Sequence, residues 1–279
     1  MSITSGPAGP IHWTVVGSGP AVVLLHGLGG DADFWEPEIA AWSGGMRLIA
    51  IDLRGSGGTP STGSDLTIAD LADDVVAVLD DAGVDSAHVV GFSLGGLVAQ
   101  EFALRHPDRL NRLVLVSTYA RMHRQAELFL DAVLAVYEQD RSAKHMFDLI
   151  VPWLFSPSFV ADPDNAPYFE LPDDAADDQS MEDWRALYLA QKAFDARGRV
   201  ASIHAPTLLV AGELDALVPV GDAKTLASEI PRARLHVIVG SGHLVNTEQP
   251  EQYHQAVFGF LTADDHVSSV ETGRPASTM

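Results

Sequence analysis

The sequence contains no cysteine, which removes disulfides, thiolate metal ligands and a thiol nucleophile at once. Positive charge is scarce as well: 17 Lys and Arg stand against 38 Asp and Glu, for a formal net charge of −21. Such a field repels phosphate backbones and anionic lipid headgroups, so neither nucleic acid nor a membrane surface is expected as a partner. No apolar run approaches the ~20 residues that span a bilayer. Residues 1–10 have neither the basic side chains nor the apolar stretch of a secretory signal. A cytoplasmic protein is the expectation. An H-E-x-x-H motif, a close His/Asp ligand cluster, the Lys of a P-loop and a dinucleotide fingerprint are all missing, so no metal and no cofactor are expected.

What is present is ordinary globular material: 279 residues, 47% hydrophobic and 20% charged, enough to build a large core. Short Val-, Ile- and Leu-rich runs at 21–25, 48–51, 88–92, 113–116, 207–210 and 235–239 end in turn residues and read as buried strands. Helical stripes separate several of them. Ile68, Leu71, Ala72, Val75, Val78 and Leu79 fall on one such face. This alternation predicts an α/β fold with a mostly parallel sheet flanked by helices. It breaks over residues 119–200, where helical spacing takes over, as in Phe129, Val133, Val136 and Tyr137. The expected division is therefore a core of residues 1–118 and 201–262, a helical insertion at 119–200, and a polar tail at 263–279 without order. Within the insertion, 157–178 is rich in Pro and carboxylates with no Lys or Arg, and reads as a solvated, mobile loop.

Chemistry concentrates at the ends of the strands. Gly91-Phe92-Ser93-Leu94-Gly95 matches G-x-S-x-G, the turn that exposes a serine hydroxyl between a strand and a helix. About 0.15 such pentapeptides are expected by chance in this composition. The strand immediately before it and the helix immediately after it supply the context the motif requires. A serine nucleophile needs a base, and the base needs a partner that fixes its tautomer. His243 follows the run 235–239 through Gly240-Ser241-Gly242, and Asp215 follows 207–210, with Glu213 as the competing acid. Two N–H donors are needed for an oxyanion. Leu94, next after the serine, supplies one candidate, and Leu28 in His26-Gly27-Leu28-Gly29-Gly30 the other. Trp153, Phe155, Trp184 and Tyr188 of the insertion are candidates for the walls of an apolar substrate pocket.

From residue 20 to 261 the chain resembles the α/β-hydrolases. His26-Gly27, Asp52-x-Arg54-Gly55-x-Gly57, the turn at Ser93, Asp215 and Gly242-His243 stand in that superfamily's order. It is most similar to the 3-oxoadipate enol-lactonases and the aminoacrylate (carbamate-type) hydrolases, through Gly27-Leu28-Gly29-Gly30 with Phe34-Trp35 and Pro37, through 91–96, and through 243–250. The resemblance implies an α/β-hydrolase fold with the insertion as a cap. It implies a cofactor-independent serine hydrolase of a small ester or lactone, using Ser93, His243 and Asp215. Cleavage of a carbon–carbon bond, hydrolysis of a carbamate or amide, and a receptor that uses the pocket only for binding are the alternatives. Assembly as a homo-oligomer is left open.

Overall fold

Eight strands form one sheet in a computed structural model that describes residues 2–61, 63, 65–171 and 179–263. They are β1 (Ser2–Gly6), β2 (Gly9–Gly17), β3 (Ala21–Leu25), β4 (Arg47–Ile51), β5 (Ala87–Phe92), β6 (Leu110–Val116), β7 (Thr207–Gly212) and β8 (Ala233–Ile238). Their spatial order is β1-β2-β4-β3-β5-β6-β7-β8. The pairs from β4 through β8 are parallel, while β1 and β2 join antiparallel at one edge.

The six parallel strands are those read from their apolar runs. β1 and β2 were not anticipated, for a physical reason. Only every second residue of β2, Ile11 and Trp13, is buried, and Pro10, His12 and Thr14 interrupt the apolar pattern. β2 is held instead by its ladder to β4 and by the Trp13 indole, which donates to the Thr4 hydroxyl at 2.9 Å.

Helices cover both faces. α1 (Glu36–Trp42) and the C-terminal helix α10 (Pro250–Leu261) lie on one, where Trp42, Tyr253 and Val257 pack against Leu48, Val90 and Val210. On the other lie α2 (Ile68–Asp81), α3 (Leu94–Arg105) and α8 (Val220–Glu229). Thr67 and Asp70 start α2 with a reciprocal capping box, and its stripe from Ile68 to Leu79 is buried. Each large aliphatic side chain removed from water there contributes about 1.5–3 kcal/mol.

Between β6 and β7 the chain builds α4 (Arg124–Asp140), α5 (Ala143–Leu154), the short α6 (Pro157–Ala161), a 3-10 helix at Pro163–Phe169, and α7 (Met181–Ala193). The expected loop at 157–178 is thus corrected over its first half. Ser156 accepts from the Phe159 N–H to open α6, and Phe155 stacks on Phe159 with ring centroids 4.7 Å apart, so aromatic packing organises a segment whose composition suggested none. Residues 172–178 and 264–279 lie outside the described residues, and with them the expectation about the tail. No helix among the described residues is long and apolar enough to cross a membrane.

Candidate active site

β5 runs straight into Ser93, which sits at φ 51° and ψ −112° before α3 begins at Leu94. A non-glycine residue in this region is strained by roughly 1–3 kcal/mol and persists only where its surroundings hold it. Here the Ser93 N–H donates to the Val116 carbonyl at 2.9 Å, and the Ser93 carbonyl accepts from the Thr118 hydroxyl at 2.8 Å and from the Gly96 N–H at 2.9 Å. The flanking glycines are steric requirements. A Cβ at Gly91 would run into the Gly95 carbonyl, and one at Gly95 into the carbonyls of Leu25 and His26.

The two downstream candidates meet although 28 residues separate them. Asp215 Oδ2 lies 2.7 Å from His243 Nδ1, with both side chains buried. The other carboxylate oxygen accepts from the N–H groups of Leu217 at 2.9 Å and Val218 at 2.7 Å. These bonds lock the carboxylate, which in turn directs the Nε2 side of the imidazole away from it. Glu213, the competing acid, points elsewhere and accepts from the Gly240 N–H at 3.0 Å.

Leu94 is the first residue of α3, so its N–H has no intrahelical acceptor. Leu28 lies in the loop after β3, whose path is set by buried His26. The His26 Nδ1–H donates to the Gly27 carbonyl at 2.8 Å, while Nε2 accepts from the Leu53 N–H at 3.1 Å. Burial lowers the His26 pKa, which keeps the ring neutral and suits this one-donor, one-acceptor arrangement. Asp52 ties the same loop to the next, accepting from Ala32 N–H at 2.9 Å and Gly58 N–H at 2.8 Å. Arg54 is buried against Asp74 at 2.6 Å, which gives the Gly-rich stretch after β4 a structural role.

Ser93, His243 and Leu28 open onto one cavity of about 220 Å³. Its other walls are Phe34, Phe92, Leu217 and Leu244 from the core, with Leu130 of α4, Ile150 and Leu154 of α5, and Trp184 and Gln191 of α7. Of the four aromatic candidates only Trp184 lines it. Trp153 packs on Phe129 at 4.5 Å, Phe155 on Phe159, and Tyr188 stacks behind Trp184 at 5.5 Å with its hydroxyl donating to Asp131. These rings satisfy the insertion's own packing, so Trp153, Phe155 and Tyr188 are corrected to core or surface positions. Gln191 was missed as a wall residue, although it lies seven positions after Trp184 on one helical face. Its Nε2 donates to the Tyr119 hydroxyl at 2.7 Å, and its Oε1 is buried with no donor among the described residues. A larger groove of about 1040 Å³ between β8 and α10 includes Arg232, Arg234 and His236 but neither Ser93 nor His243.

The sequence pattern of the alpha/beta hydrolase fold family matches residues 20–147 and 162–250. A protein of Variovorax paradoxus that carries the provisional name carbamate hydrolase RutD is 34% identical over 262 residues, covering 90% of this chain and 96% of its own. The crystal structure of an enol-lactonase from Burkholderia xenovorans is 26% identical with a TM-score of 0.83, over 94% of this chain and 100% of that one. A thermophilic esterase from Thermogutta terrifontis is 27% identical with a TM-score of 0.82, over 93% and 97% respectively.

Proposed function

The chain belongs to the alpha/beta hydrolase fold family, and we propose that within it the protein is a serine hydrolase of small carboxylic esters or lactones. The observation that carries this reading is that strained Ser93 and His243, whose ring is paired with buried Asp215, border the same small, mostly apolar cavity. In the proposed reaction Ser93 Oγ attacks the acyl carbon while His243 Nε2 takes its proton, and Asp215 stabilises the imidazolium. The tetrahedral oxyanion is received by the N–H groups of Leu28 and Leu94, each such donor being worth about 10²–10³ in rate. Collapse breaks the acyl–oxygen bond, and the leaving oxygen takes the proton from His243. In a lactone the leaving group stays tethered to the acyl chain. Water then attacks the acyl-enzyme, gives its proton to His243, and releases the acid as Ser93 regains the proton.

The helical segment 119–200 acts in this reading as a cap, since α4, α5 and α7 supply part of the lining of the cavity that Ser93 borders. The cavity volume favours a small acyl group. A small-molecule substrate and a cytoplasmic location belong to the same proposal.

Hydrolysis of a carbamate on the same residues is the second reading. It is favoured by the name of the Variovorax relative. Turnover of matched p-nitrophenyl acetate, a γ-lactone and a p-nitrophenyl carbamate by wild type and Ser93→Ala, followed by mass spectrometry, separates the readings. Loss of all three in the variant supports a Ser93 acyl-enzyme, and the preferred substrate selects between ester, lactone and carbamate. Activity that survives Ser93→Ala overturns both.

A further inference from the structure

The main chain around His243 is held by the insertion as well as by the core. The N–H groups of His243 and Leu244 both donate to the carbonyl of Leu154, at 2.9 and 3.1 Å. Leu154 is the last residue of α5, so its carbonyl has no intrahelical donor and is free to accept them. One oxygen of Glu248, at the end of the short helix α9 (Val245–Glu248), closes the junction. Glu248 Oε1 accepts from the Gly242 N–H at 2.8 Å and from the Ser156 N–H at 3.1 Å. A single carboxylate oxygen therefore bridges the residue before the base and the residue two places after the end of α5.

The approach is close. A Cβ at Gly242 would lie 2.7 Å from the Phe155 carbonyl carbon and the Ser156 nitrogen, and 2.8 Å from Glu248 Oε1. Meanwhile Ile150 and Leu154 line the cavity. Leu154 thus both borders the cavity and holds the His243 backbone with its carbonyl.

We infer that Glu248 is a positioning residue, which sets the imidazole of His243 by fastening its loop to the cavity-lining end of α5. This rests on the reading of His243 as the base. Asp215 fixes the imidazole through its ring nitrogen, but the ring's height over Ser93 is set by the backbone, and on the insertion side that backbone has only the Leu154 and Glu248 bonds among those described. Glu248 stays out of the cavity lining and acts through Gly242 and Ser156.

The test compares Glu248→Ala, which removes the one oxygen that accepts both bonds, with Glu248→Gln, whose amide oxygen can still accept them. Rates on p-nitrophenyl acetate are referred to the concentration of sites labelled by a fluorophosphonate, so misfolded protein does not count. Glu248→Ala is expected to lower kcat roughly 10–100-fold with little change in KM, the scale of a misplaced catalytic group. Glu248→Gln should stay within about threefold of wild type, since charge-neutral acceptance preserves the geometry. The downfield proton resonance of His243 Nδ1 should shift or broaden in Glu248→Ala and persist in Glu248→Gln. An unchanged resonance and an unchanged kcat per labelled site in Glu248→Ala would overturn the inference, as would equal damage in both variants. Ser93→Ala, assayed alongside, reports on the hydrolase reading separately: its retained activity would sink that reading whatever Glu248 does.

Discussion

Ser117, the residue after β6, takes a positive-φ conformation, φ 47°, and donates its hydroxyl to the backbone carbonyl of His243 at 2.8 Å. The strand end next to Ser93 is thus occupied by a donor that anchors the histidine loop, and the carboxylate that reaches the imidazole comes from beyond β7 instead. Of the two carboxylates that follow β7, Asp215 reaches the His243 ring and Glu213 bonds to the Gly240 N–H instead.

Asp215→Asn is accordingly expected to lower kcat by about 10⁴, the scale seen when the histidine's acid partner is replaced by an amide, with little change in KM. Glu213→Gln, at a side chain whose hydrogen bond among the described residues is to the Gly240 N–H, should stay near wild type. Steady-state kinetics on both variants checks this, and a reversed order would hand the role to Glu213.

Ser93→Ala is expected to fold normally and to lose roughly 10⁴–10⁶ in kcat. A fluorophosphonate should add its mass to the peptide containing Ser93. Labelling of any other serine in wild type would move the nucleophile elsewhere.

His26 gives a pH signature of stability. Burial depresses its pKa in the folded protein, so below the ordinary histidine value of about 6.5 the unfolded chain takes up a proton that the folded chain resists. The stabilisation from neutral His26 is complete above that value and is lost as the pH falls through the folded-state pKa. The Tm advantage of wild type over His26→Gln should therefore shrink between pH 8 and pH 5 in a series of calorimetric scans. An advantage constant across that range would mean that His26 is not held neutral by its burial.

Trp184→Ala and Gln191→Leu are expected to reorder a panel of acyl chains and carbamates, because both residues line the cavity. Trp153→Ala should leave the order alone and lower Tm by a few degrees, since its ring rests on Phe129 outside the cavity. Competition assays with mixed substrates read the ranking directly. A changed ranking in Trp153→Ala would mean that the insertion repacks around bound substrate.

The parallel strands, the turn at Ser93 and the two loops bearing Asp215 and His243 were legible in the sequence because each is a local matter. A buried strand needs a short apolar run, and the nucleophile turn needs glycines at 91 and 95 where a Cβ would strike backbone. β1 and β2 escaped because a half-buried edge carries only every second apolar residue. The start of α6 and the ring stack of Phe155 on Phe159 escaped because composition reports average polarity, not which rings will meet. The cavity was decided by tertiary structure alone. Ile150, Leu154, Leu130 and Trp184 come from three different helices, while Trp153, Phe155 and Tyr188 are as apolar and as near in sequence. Apolar side chains carry the same signature whether they fill a core or border a void. Only the packing of α4, α5 and α7 over the strand ends determines which of them face Ser93.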